Sequence, residues 1–90
     1  NMKIKENTDI NYPNWEAILA TKTDHQLVES YNHEVKLKVW GTARMWYLHY
    51  LKNEILTRNW DSGLLFSEDK NTFSLAKPVV LENGKLMFQQ

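Results

Sequence analysis

Between Trp40 and Asp61 the chain reads WGTARMWYLHYLKNEILTRNWD. From Thr42 to Asn59 it contains neither proline nor glycine, and its apolar residues recur at helical spacing, which predicts one long helix over about 42–59. In a chain of 90 residues no other stretch constrains the fold as much, because every apolar face of this helix needs a cover. At about 100° per residue, Leu48, Leu51 and Ile55 cluster tightly, and Met45 and Leu56 widen the same stripe. That stripe is expected to be the core face. Trp46 and Tyr50, four residues apart, fall on the opposite side beside Ala43, with Tyr47 on a flank. Two arrangements would satisfy this second set. Either the preceding helices cover one side and a C-terminal hairpin the other, or the rings of Trp46, Tyr47 and Tyr50 meet a partner.

The rest of the chain supplies short elements with recognisable ends. Residues 1–11 are polar and expected to be loosely ordered, although the alternation of Met2 and Ile4 suits a short edge strand. In YPNWEAILA, Asn14 is placed to cap a short helix whose Trp15, Ile18 and Leu19 fall on one side. Thr23 and Gln26 match the capping box, in which each side chain satisfies a free backbone N–H at a helix start. Asp24 in the first turn suits the positive end of the macrodipole, and Leu27, Val28 and Tyr31 give that helix one apolar face. EVKLKVW then changes period: Val35, Leu37 and Val39 alternate with Lys36 and Lys38, so an extended segment over 35–39 ending at Gly41 is expected. Thr42 would cap the long helix, and the Asp61-Ser62-Gly63 turn would end it, with Gly63 free to take the left-handed conformation. Asn83-Gly84 between the apolar runs of VVLENGKLMF is the strongest short hairpin signal, since a type I′ turn needs positive φ at both central residues. Val79, Leu81, Leu86 and Phe88 would share one face of that hairpin.

The fold class expected is α+β, in a single small domain spanning 1–90: helical for the first two thirds, with the long helix packed against a C-terminal antiparallel β-hairpin. Ninety residues with 42% hydrophobic content suffice for one modest core, which self-association would supplement. Eleven basic and eleven acidic side chains give zero formal net charge. That balance argues against a dedicated polyanion binder and removes the repulsion that keeps copies apart.

Few residue patterns carry chemistry. The chain has no cysteine, so disulfides, thiol catalysis and Cys-ligated metal are excluded, and a reducing compartment is favoured. Residues 1–5 lack the apolar run of a signal peptide, and no apolar run approaches a bilayer span, so a cytoplasmic protein without a membrane segment is expected. His25, His33 and His49 form no HExxH motif, so no metal site is assigned. Ser62 lacks the flanking glycines of a nucleophile elbow. Glu68 and Asp69 lie in a polar loop, without the apolar surroundings that raise a carboxyl pKa for acid catalysis. The only glycines are Gly41, Gly63 and Gly84, each at a turn, which excludes a glycine-rich phosphate loop. Neither a catalytic group nor a cofactor is expected.

Two groups of residues remain. Arg44 projects near the Leu48–Ile55 stripe, where a guanidinium must be paired or reach water; Glu34 and Asp61 are the candidate partners in a structural clamp. Between Val35 and Asn53 lie Lys36, Lys38, Arg44 and Lys52 with no acid, interleaved with Trp40, Trp46, Tyr47 and Tyr50. Cations beside flat rings are what single-stranded nucleic acid requires, though no RNP, KH or zinc-finger pattern accompanies them. The preferred expectation is a non-enzymatic interaction protein, a homodimer contacting itself through Trp46, Tyr47 and Tyr50. A heterologous protein partner is the variant, and nucleic-acid binding through Lys36, Lys38, Trp40 and Lys52 the alternative.

Overall fold

The computed structural model describes residues 13–37, 41–66 and 73–90. The expected order of residues 1–11, the Met2/Ile4 strand, Lys38, Trp40 and the Glu68-Asp69 loop lie outside the described residues. Within them the fold is α+β: α1 (Trp15–Ala20), α2 (Asp24–Lys36), α3 (Thr42–Thr57), one 3-10 turn (Gly63–Leu65), then β1 (Val79–Glu82) and β2 (Lys85–Phe88).

The helix starts follow local chemistry. Asn14 Oδ1 accepts from Ala17 N at 3.2 Å. At α2 both halves of the capping box form: Thr23 N donates to Gln26 Oε1 at 2.9 Å, and Gln26 N to Thr23 Oγ1 at 3.1 Å. Two boundaries of α3 differ from expectation. Gly41, not Thr42, is the cap residue, because Met45 N already reaches Gly41 O at 3.0 Å. At the other end the helix stops at Thr57 rather than near Asn59, and Arg58 turns extended.

Arg58 leaves the helix because its side chain is held elsewhere. Its guanidinium donates to Glu54 Oε2 at 2.8 Å, Asp24 Oδ1 at 2.7 Å, Lys22 O at 3.0 Å and Leu19 O at 3.3 Å. One side chain therefore joins the end of α1, the start of α2 and the end of α3, adding donors to the carbonyls of Leu19 and Lys22 at the C-terminal end of α1. Burial alone would lower the Arg58 pKa; the bonds to Asp24 and Glu54 outweigh it and the net direction is upward.

The extended segment expected over 35–39 is not what forms at its start. Val35 and Lys36 are the last residues of α2, and Leu37 is extended; Lys38 and Val39 lie outside the described residues. Helix wins because Glu34, buried on the same turn, is held by Arg44, which fixes α2 through the residues where the alternation begins. Gly63 likewise does not enter the left-handed region; it opens the 3-10 turn.

The hairpin has the expected turn, with Asn83 at φ 53° and Gly84 at φ 78°. Its register pairs Val79 with Phe88, Val80 with Met87, Leu81 with Leu86 and Glu82 with Lys85. The backbone of Asp61 extends the other edge of β2: Asp61 N donates to Gly84 O at 2.7 Å and Leu86 N to Asp61 O at 3.0 Å. The hairpin docks chiefly on α2 rather than along α3, while α1 is the element packed most closely against α3. The reason is a polar anchor on the apolar face of α2. Buried Asn32 donates from Nδ2 to Val79 O and accepts from Val79 N, both at 2.8 Å, and so pairs with β1 as a neighbouring strand would.

The buried side chains form one cluster: Leu19, Leu27, Val28, Tyr31, Leu51, Ile55, Leu65, Val79 and Leu86. Every element contributes, so α3 reaches the hairpin through this shared core. Tyr31 is the largest member and donates its hydroxyl to Ser74 O. Burial pushes the Tyr31 pKa up to about 12. A raised folded pKa means that the stability linked to this proton is complete below the unfolded value near 10 and is lost as pH rises through about 12. Two units correspond to on the order of 2–3 kcal/mol. Urea midpoints should thus stay level to about pH 9 and fall steeply above 10. The Tyr31→Phe variant should show a shallower fall, and equal slopes for both proteins would refute the assignment.

Candidate interface on the long helix

The buried face of α3 is centred on Leu51 and Ile55. Leu48 is half-buried beside them, as expected. Met45 and Leu56, expected to widen this stripe, do not: they are 64% and 43% exposed. The buried stripe instead turns the other way, toward Tyr47, because α1 packs there and sets Trp15 edge-on to the Tyr47 ring at 4.7 Å between centroids. Tyr47 is therefore half-buried at the α1–α3 contact rather than on the outer face. Burial raises its pKa first of all, the Ser30 hydroxyl acts in the opposite sense, and the charge of Glu34 raises it again.

Trp46 is 51% exposed. It and Tyr50 stack at 6.4 Å with 27° between planes. His49 lies edge-on to both, at 6.2 Å from Trp46 and 5.3 Å from Tyr50, and Asn53 Nδ2 meets His49 Nε2 at 3.2 Å. Tyr50 is half-buried, its ring reaching the core from the rim. On a helix of about 100° per residue, Met45, Trp46, His49, Asn53 and Leu56 all lie at least about 120° from Leu51. α3 consequently carries an apolar and aromatic outer face, and the hairpin, seated on α2, does not cover it.

Arg44 lies on the inner side. Its Nε donates to Glu34 Oε1 and its Nη2 to Glu34 O, both at 2.9 Å, and the two side chains are only 10% and 7% exposed. The clamp from α3 to a neighbouring segment is thus made with Glu34 of α2. Asp61 holds a different junction: its Oδ1 faces Gly63 N at 3.4 Å, and its backbone pairs with the hairpin edge.

The basic and aromatic set does not gather. Lys36 is exposed at the end of α2, and Lys52 is half-buried on α3, about 120° around the helix from Trp46. Arg44 is engaged by Glu34. Among the described residues no three of His, Asp and Glu come together as a metal-binding group, and no helix is long and apolar enough to cross a membrane. Asn32 and Arg58 were not picked out from the sequence. The first had a signal, a polar residue one helical turn from Val28 on an apolar face; the second showed only its i, i+4 relation to Glu54.

No family model matches the chain, and no curated protein and no solved structure matches it either.

Proposed function

We propose that this chain is a non-enzymatic interaction protein that self-associates through the outer face of α3. The observation that carries the reading is the exposure of Trp46 together with Met45 and Leu56 on the side of α3 away from Leu51. Contiguous exposed apolar surface marks contact sites, and Trp and Tyr concentrate binding energy at interface centres. A formal net charge of zero leaves little long-range repulsion between copies, and a cytoplasmic setting suits a cysteine-free chain. Tyr50 joins the contact as a stacked support for Trp46; Tyr47 belongs to its inner margin. A heterologous protein is the other partner such a face would take. Single-stranded nucleic acid fits less well, since Lys52 points away from the rings and Arg44 is neutralised.

Light scattering on a sizing column should give a dimer mass that persists from low to high salt. The Trp46→Gln/Tyr50→Gln variant should elute as a folded monomer. A monomeric wild type at every concentration would overturn the reading.

A further inference from the structure

A groove of about 510 Å³ lies between α1 and α3, within the range of about 300–1,000 Å³ that holds small guests. Its walls are Trp15 and Ile18 of α1, Leu37 at the end of α2, and Ala43 and Tyr47 of α3; Glu34 lines it as well. Glu34 Oε1 takes the Arg44 bond, and among the described residues its Oε2 accepts no hydrogen bond. A buried carboxylate oxygen without a donor is costly. On the same side of α3, one turn from Ala43, the Trp46 indole N–H likewise donates to nothing among the described residues.

We infer that two copies pair reciprocally, the Trp46 indole of each seating in the α1–α3 groove of the other with its N–H directed to Glu34 Oε2. The inference rests on the self-association proposed above and gives it a geometry. A two-fold contact needs one surface that carries both halves of the fit, and this surface does. Trp46 and Ala43 are three residues apart on one helix, so rotating a second copy about an axis between them brings each indole over the opposite groove. Ala43, exposed and small, lets the two helices approach. The groove presents Glu34, Arg44 and Lys22, so a charged guest would meet both signs. An uncharged ring with one donor suits it: the ring fills the apolar walls, burying about 150–250 Å², and the donor satisfies the carboxylate.

Two single variants and their mixture test this by light scattering and analytical ultracentrifugation. Trp46→Ala removes the ring and keeps the groove. Ala43→Glu keeps the ring and covers the groove, with an acid in the first helical turn where it suits the macrodipole. Circular dichroism should show both folded. Each alone should dimerise at least about 100-fold more weakly than wild type, as loss of a central Trp contact does. Mixed one to one they should form a heterodimer, since one intact ring then meets one intact groove, and bind at least about tenfold tighter than either variant with itself. If the wild type dimerises and Ala43→Glu dimerises equally well, the groove has no part and the inference is wrong, although the outer face stands. If Trp46→Ala also dimerises normally, the contact lies elsewhere. A mixture that stays monomeric overturns the reciprocal geometry, and a monomeric wild type overturns the self-association beneath it.

Discussion

Replacing Asn32 with alanine should cost the fold about 3–5 kcal/mol, because two buried backbone groups lose their partners at once. Asn32 Oδ1 is the acceptor for Val79 N and Asn32 Nδ2 a donor to Val79 O. Among the described residues, the other donor to that carbonyl is Gln89 Nε2, at a long 3.4 Å. Each orphaned buried group costs about 1–3 kcal/mol, a large share of the stability of about 5–15 kcal/mol typical of a native domain. Asn32→Asp distinguishes geometry from volume. It keeps the acceptor for Val79 N and replaces the donor with a carboxylate facing Val79 O, so it should be at least as destabilising at neutral pH and partly relieved in acid, where the carboxyl regains a proton. Urea unfolding gives the cost, and amide exchange at Val79 gives the site. A loss below about 1 kcal/mol for Asn32→Ala would mean that water or a shifted strand replaces the amide, and that the hairpin does not depend on it.

Removing Arg44 should be comparably severe. Arg44→Ala leaves Glu34 buried with its charge uncompensated, and breaking such a pair from one side costs about 3–5 kcal/mol. The expected result is an unfolded or markedly softened protein at neutral pH. The paired replacement Arg44→Met/Glu34→Leu should restore most of the loss, since two apolar groups of similar size remove the desolvation problem together. Equal melting temperatures for wild type and Arg44→Ala would show that the pair carries no net stabilisation. Stability of the double variant close to that of Arg44→Ala would show that packing of the guanidinium stem matters more than charge.

Asn32 marks where the sequence stops being readable, whereas Arg44 and its candidate partner Glu34 were legible in it. The capping box at Thr23 and Gln26, the Asn14 cap and the type I′ turn at Asn83-Gly84 all form as the residues predict. Each involves groups within three or four positions in the chain, and their energetics are local. The expectation of an extended segment from residue 35 failed at Val35 and Lys36 on the opposite ground. Its alternation of apolar and basic residues suits a strand, but a buried ion pair between residues ten apart, Glu34 and Arg44, held Val35 and Lys36 in the helix. Periodicity cannot register a contact of that kind.

The long helix divides in the same way. Its existence and a core face on Leu51 and Ile55 were written in its period. The fate of Met45, Leu56 and Tyr47 was not, because an amphipathic stripe wider than one face can roll to either side, and here the docking of Trp15 against Tyr47 decides the roll. By itself the sequence determined the α+β class, the starts of α1 and α2, the hairpin turn and the presence of a second aromatic face on α3. Tertiary structure alone decided that the hairpin sits on α2, through two hydrogen bonds from Asn32 to a strand 47 residues away. Trp46 was thereby left exposed, because a cover for it had to come from a distant segment, and the hydrogen bonds that place that segment are made far from Trp46.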